Sequence, residues 1–398
     1  MKIMLVVGAR PNFMKIAPIL DAITRYNEAG GPSSISAPLI PVLVHTGQHY
    51  DYEMSQSFFV ELGIPHPDIN LEVGSGSHAE QTARVMVAFE SVLHQERPDL
   101  VIVVGDVNST MACAIAAKKL NIPVGHVEAG LRSGDMTMPE EINRKVTDAI
   151  SDYLFTTDPI AMANLEDEGV PSSRIFFVGN VMIDTLLKHL ERAAASQILE
   201  QLSLRDGRGV KPYAVVTLHR PSNVDHPDSM RTICEALHTI SEELPVIFPC
   251  HPRTRSQISA FGLGGFFGAE GGWMRLTEPL GYLDFLQLNA NAKVILTDSG
   301  GIQEEAAVLR VPCLTLRDTT ERPITISQGT NRLVGNSKRF ILEGFGWALN
   351  RPNQPGRVPE KWDGKAAERI VDVLAQIARH GATVLSNDDR RQSLATIR

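Results

Sequence analysis

The chain has 398 residues, of which 43% are hydrophobic, 21% charged and 6% aromatic, with a formal net charge of -8. That length favours two domains of roughly 150 to 200 residues over a single core. The composition is too balanced for a disordered or fibrous chain, and the acidic surplus excludes wholesale binding to nucleic acid or to an anionic membrane, so an anionic ligand must be met by individually placed Arg, Lys and helix ends.

The first apolar run stops at Gly8 and Arg10, too short for a secretory leader, and no segment has about 20 uninterrupted apolar residues. A cytoplasmic location is expected. The cysteines Cys113, Cys234, Cys250 and Cys313 lie in apolar surroundings without metal-ligand spacing and read as reduced packing residues; neither a metal nor a cofactor is expected.

In chain order, short apolar runs at 2–7, 40–45, 100–105, 124–128, 153–157 and 175–179 read as buried parallel strands. Between them the spacing of apolar residues predicts helices, among them 78–94 and 108–120. A helical stretch over 182–202 leads into a polar, Gly-containing segment at 205–212, after which the rhythm restarts with strands at 213–218, 245–249, 274–277, 293–297 and 313–316. A Pro/Gly-rich break at 350–359 precedes a last amphipathic helix over 364–380 and a polar tail. This is the βαβ rhythm of doubly wound sheets. The expected architecture is α/β, two Rossmann-like doubly wound domains facing a central cleft. Residues 1–185 form an N-terminal domain, 186–362 a C-terminal domain, and 363–398 a helix that packs back on the N-terminal domain, followed by a tail.

Polar motifs fall at the strand ends. Gly8-Ala9-Arg10-Pro11-Asn12 runs into a helix carrying Lys15, an anion site built from a Gly turn, a helix start and two cations. The GxGxxG fingerprint and the P-loop are absent, which disfavours NAD and ATP. Asp106 follows the third major strand of the first half and is either a helix cap or a cleft residue. Glu128, embedded in an apolar strand end, needs a partner if buried, and Arg132 is the candidate. A third acidic group, Glu140, lies in Pro139-Glu140-Glu141, which suits a first helical turn. In the second half His219 and His251 end strands, either as loop caps or as proton carriers. Asp298-Ser299-Gly300-Gly301 followed by a helix has the form of a diphosphate cradle, Glu305 is placed to accept from ribose hydroxyls, and Arg322 is expected to meet a phosphate with both arms of its guanidinium.

The set HTGQHYD (45–51), GSGSHAEQT (74–82), GDVNST (105–110), HVEAGLR (126–132), PEEINR (139–144), DSGGIQEE (298–305) and RDTTERP (317–323) resembles the non-hydrolysing UDP-N-acetylglucosamine 2-epimerases over roughly residues 1–350. The resemblance implies a glycosyltransferase-B-like fold, a homodimer and a UDP-sugar as ligand. It also implies an isomerase that interconverts UDP-N-acetylglucosamine and UDP-N-acetylmannosamine by eliminating and re-adding UDP, supplying precursors for cell-surface polysaccharide. By motif, Asp106, Glu128, Glu140 and His219 correspond to the catalytic centre, and Arg10 and Lys15 to diphosphate or sugar contacts. Ser299, Gly300, Gly301, Glu305 and Arg322 correspond to phosphate and ribose contacts, and Phe285 with the backbone near Leu280 to the uracil pocket. Gln48, His49 and His251 correspond to accessory or allosteric positions. The alternatives are an epimerase of a diacetamido-uronic acid derivative, a hydrolysing relative that releases UDP and N-acetylmannosamine, a glycosyltransferase of the same fold, and a non-catalytic nucleotide-sugar sensor.

Overall fold

The computed structural model describes residues 1–30, 38–47, 62–268, 273–350 and 356–380. The chain divides into two compact units, Met1–Thr185 with the stretch from Glu360 onward, and Leu186–Pro359.

In the first unit the strands are β1 (Lys2–Val7), β2 (Ile40–His45), β3 (Ile69–Asn70), β4 (Leu100–Val104), β5 (Val124–Ala129), β6 (Tyr153–Thr156) and β7 (Ile175–Phe177). They form one sheet in the order β3-β2-β1-β4-β5-β6-β7, every pair parallel. Crossovers of this kind place helices on both faces, so the strands need no polar side; all five residues of β4 are buried. On one face Met4, Val6, Val101 and Val103 pack with Val85 and Phe89 of the helix His78–Glu96 and with Ala112 and Ala116 of the helix Asn108–Lys119. The strand order reverses between β1 and β4, which makes their carboxyl ends the natural ligand crevice of this unit.

The segment after Glu360 is fastened to the first unit by polar contacts. Lys361 Nζ donates to the Phe177 carbonyl (2.9 Å) and Trp362 Nε1 to that of Thr157 (3.0 Å). The helix Ala366–His380 receives its cap from Asp184, whose carboxylate accepts from the Ala366 and Ala367 amides at 3.1 and 2.7 Å. Burial raises the pKa of that carboxyl to about 6.

The second unit begins with β8 (Arg205–Asp206) and β9 (Gly209–Val210), which pair antiparallel. Its main sheet comprises β10 (Ala214–Thr217), β11 (Val246–Pro249), β12 (Met274–Thr277), β13 (Val294–Thr297), β14 (Cys313–Thr315) and β15 (Asn331–Leu333), in the order β12-β11-β10-β13-β14-β15 and again all parallel. Alternate residues of β10 serve opposite cores. Ala214 and Val216 face Ile233 and Leu237, whereas Tyr213, just ahead of the strand, and Val215 face Leu288 and Ala306. Here the order reverses between β10 and β13.

The structure departs from the sequence expectations at local features. The stretch expected as one helix over 182–202 is two, Val181–Ala194 and Ile198–Gln201, because the Ser196 hydroxyl accepts from the Ile198 amide (3.1 Å) and restarts the chain. The polar segment at 205–212 contains the β8–β9 hairpin. The two-residue β3 and the three-residue β15 extend the sheets beyond the strands that apolar runs disclosed. Among the described residues no helix is long and apolar enough to cross a membrane.

Gly179 has a φ of 94°, and a methyl group on it would run into the carbonyl of Lys361. Gly179→Ala is expected to destabilise the protein by more than about 1 kcal/mol, read as a fall in melting temperature of at least about 2 °C. An unchanged melting curve would show that the Lys361 backbone yields.

Candidate active site

Of the candidate residues of the first unit, Lys15, Asp106 and Glu128 lie near the reversal point. β1 leads through Gly8 and Ala9 into the helix Arg10–Ala29, where the Asn12 side chain accepts from the Ala9 amide (2.9 Å) and donates to the Val104 carbonyl (3.0 Å), tying the first loop to the end of β4. One turn on, Lys15 is buried and forms an ion pair with Glu128, itself only 3% exposed. Glu128 has a φ of 69°, a left-handed conformation that costs a non-glycine residue about 1–3 kcal/mol and persists only where its surroundings over-determine it. The pairing of β5 with β6 shifts register at this point, between Val127 and Ala129.

Asp106 follows Gly105 at the end of β4. Its carboxylate meets Arg144 Nε at 3.0 Å, and its backbone carbonyl accepts from Asn143 Nδ2 at 2.8 Å; both partners lie on the helix Pro139–Ile150. Val107, rather than Asp106, occupies the cap position of the next helix. The adjacent glutamates of the PEE motif differ sharply. Glu141 is fully buried and accepts from the Ser133 and Gly134 amides, each at 3.0 Å, while pairing with Arg144. Glu140 is half-buried, in the first turn of its helix, and makes no ion pair among the described residues.

Arg132 is not the partner of Glu128 that the sequence suggested. It meets Asp148 at 2.7 Å and Glu168 at 2.6 Å, because the left-handed residues Glu128 and Gly130 turn the chain away before Arg132 is reached. The cation for Glu128 comes instead from the helix after β1.

In the second unit Asp298, at the end of β13, is fully buried and organises the end of β10. Its carboxylate meets His219 Nδ1 at 2.8 Å and accepts from the Arg220 amide (3.0 Å) and Asn223 Nδ2 (3.1 Å). Burial pushes this carboxyl up, but the bonds from His219, Arg220 and Asn223 outweigh it and hold it below the usual range. A carboxylate only accepts, so Nδ1 of His219 carries hydrogen and Nε2 is left for other chemistry; the side chain is 53% exposed. His251 takes the structural part of its two readings. Its Nδ1 accepts from the Arg253 amide (3.2 Å) and caps the helix Pro252–Ala260, and burial, with His219 and Arg253 nearby, lowers its pKa.

Ser299 stands at the N-cap of the helix Gly300–Leu309, and its hydroxyl makes no capping bond. A Cβ at Gly300 would lie 2.7 Å from the Glu321 carboxylate and 3.3 Å from the Arg322 guanidinium, so a larger residue there would have to displace those side chains. Arg322, expected to meet a phosphate, is held by two carboxylates: its Nε meets Glu304 at 2.7 Å and its Nη1 meets Glu321 at 3.0 Å. Its neighbours are acidic because Glu304 and Glu321 brace the loop, with Arg317 and Arg220 on Glu321 at 2.8 and 3.7 Å. Glu305 is buried, and burial followed by the charge of Glu304 raises its pKa to about 8. Leu280, Phe285 and Ile302 pack on one apolar cluster beneath this helix. Gln48 and His49 lie outside the described residues, as does the side chain of Arg10.

A family profile described as UDP-N-acetylglucosamine 2-epimerase matches residues 36–375. The chain belongs to that family. A UDP-N-acetylglucosamine 2-epimerase of Methanocaldococcus jannaschii is 41% identical over 94% of this chain and 99% of its own length. A crystal structure of the enzyme from that organism in complex with UDP-GlcNAc and UDP superposes with a TM-score of 0.83, covering 94% of this chain and all of the other. A UDP-2,3-diacetamido-2,3-dideoxy-D-glucuronate 2-epimerase of Pseudomonas aeruginosa is 40% identical over 95% of this chain and 100% of its own length.

Because the Glu305 carboxyl titrates near 8 in the folded protein against an ordinary value of 4.5, the native state holds a proton that the unfolded chain has lost between those values. Stability contributed by this group is therefore complete below about pH 4.5 and falls as pH rises towards 8. Glu305→Gln is expected to flatten that decline in denaturant titrations across the window. A decline of undiminished slope in the variant would show that other groups produce it.

Proposed function

We propose that this chain reversibly inverts C2 of UDP-N-acetylglucosamine to give UDP-N-acetylmannosamine. The observation that carries this reading is the family match over residues 36–375, which takes in the loops bearing Asp106, Glu128, Glu140 and His219. C2 has no neighbouring carbonyl, so its proton is not acidic enough to remove directly. Elimination resolves this: a base takes the C2 proton, the C1–O bond to the diphosphate breaks, and a C1=C2 double bond forms, leaving 2-acetamidoglucal and UDP. Re-addition of UDP at C1 with protonation of C2 on the opposite face completes the inversion without net gain or loss of atoms.

Such a path needs acid/base groups for both faces of the sugar and stabilisation of departing UDP. Asp106, Glu128, Glu140 and His219 form the acid/base set in this reading, with Lys15 and Arg10 as cationic support. Ser299, Gly300 and Gly301 offer the donors of a helix start to the diphosphate, with Arg322 behind them. Glu305 takes the ribose, and Phe285 with the Leu280 backbone takes the uracil. The proposed setting is a cytoplasmic homodimer supplying precursors for cell-surface polysaccharide. The Pseudomonas aeruginosa relative supports a second reading, in which the sugar is a 2,3-diacetamido-uronic acid and the same C2 chemistry applies.

The catalytic assignment predicts that Asp106→Asn, Glu128→Gln and Glu140→Gln each keep UDP binding, read by calorimetry, while lowering turnover by at least about 100-fold. Wild-type turnover in all three would sink it. Parallel assays with UDP-N-acetylglucosamine and the UDP-diacetamido-uronate decide the sugar by the larger kcat/KM.

A further inference from the structure

Beneath the loops of the first unit lies a buried polar pair that the proposed chemistry does not use. His126, on β5, is 0% exposed; its Nδ1 stands 2.6 Å from Asp148 Oδ1 and its Nε2 2.8 Å from the Gly105 carbonyl. The other oxygen of Asp148 accepts from the Gly130 amide at 3.0 Å and from Arg132 Nη1 at 2.7 Å. One imidazole and one carboxylate thus reach both flanks of Glu128. On one flank is Gly105, with a φ of 67°, where a Cβ would lie 2.9 Å from Lys15 Nζ and 3.4 Å from Glu128 Oε2, so its backbone is the surface against which the Lys15–Glu128 pair rests. On the other is Gly130, with a φ of 81°, two residues beyond the left-handed Glu128. Gly105 also immediately precedes Asp106.

We propose that His126 and Asp148 are positioning residues for the reaction, holding Glu128 in its left-handed conformation and fixing it relative to the Asp106 loop. The inference rests on the acid/base assignment of Asp106 and Glu128 above. An apolar side chain at position 126 would fill the core of β5 with a smaller desolvation cost, but it would leave the Gly105 carbonyl and the Asp148 carboxylate buried without this partner. Neither His126 nor Asp148 stands at the strand mouths where the acid/base groups lie, so both act through Glu128 and Asp106. A residue that acts through another loses its effect when that other is already disabled, whereas a residue that merely supports the fold adds its own loss.

The test is a kinetic cycle with His126→Gln, Asp148→Asn, Glu128→Gln and the doubles with Glu128→Gln, each checked by melting curve and UDP titration. The expected result is a kcat lowered about 10- to 100-fold in each positioning variant with KM changed less than about twofold, the size that a misplacement of about 1 Å produces. In the Glu128→Gln background, Asp148→Asn is expected to change kcat by less than about twofold. Wild-type kcat in the folded positioning variants, or fully additive losses in the doubles, would overturn the proposal. If His126→Gln does not fold, Asp148→Asn, which keeps the shape of the side chain, carries the test. Failure of both to fold would show that the pair secures the fold rather than the site and would equally overturn it. Wild-type kcat in Glu128→Gln alone would remove the acid/base assignment itself, an outcome distinct from failure of the pair.

Discussion

In the main sheet of each unit the strand order reverses beside that sheet's first strand, β2-β1-β4 in one and β11-β10-β13 in the other. The connections on either side of that reversal leave to opposite faces of the sheet, so the carboxyl ends of the two central strands are left uncovered by helices. The chemically distinctive residues follow from this constraint. Gly8 and Asn12 follow β1, Asp106 follows β4, His219 follows β10, and Asp298 and Ser299 follow β13. Apolar strands buried on both faces make each sheet rigid, and that rigidity lets short loops hold their polar groups in fixed places.

The second constraint is the cost of burying charge at these strand ends. Isolated ions there would be strongly destabilising, and three are met by partners drawn from a different element. Lys15 comes to Glu128 from the helix after β1, Arg144 to Asp106 from the helix Pro139–Ile150, and His219 to Asp298 from the end of β10. Around the Gly300 turn, Arg220, Arg317 and Arg322 pair with Glu321, and Arg322 also pairs with Glu304. Glu305, next to Glu304, is accommodated by a raised pKa rather than by a cation of its own.

Much of this was readable from residues alone. Runs such as LVIVV at β4 and VILT at β13 admit no half-exposed surface, which is why the α/β reading with parallel sheets follows from the sequence. The misses are of another kind. A break at 195–197, where the Ser196 hydroxyl accepts from the Ile198 amide, divides a helix whose apolar spacing continues through it, and the β8–β9 hairpin is two residues on each side, too short for periodicity to register. The partner of Glu128 was misread because a left-handed non-glycine residue is invisible in sequence, and it redirects everything that follows. Likewise, nothing in RDTTERP discloses that Glu321 and the distant Glu304 occupy Nη1 and Nε of Arg322, or that His126 joins Asp148 to Gly105; those contacts are set by which strands become neighbours.

The central claim is that C2 is inverted through loss of its proton and temporary release of UDP. The most direct measurement is proton NMR of the purified protein with UDP-N-acetylglucosamine in deuterated buffer, following the C2 proton, the anomeric signals and free UDP. The account predicts UDP-N-acetylmannosamine with deuterium at C2 and no net build-up of free sugar. Epimerisation with retention of the original C2 proton, or accumulation of UDP with free N-acetylmannosamine, would contradict it.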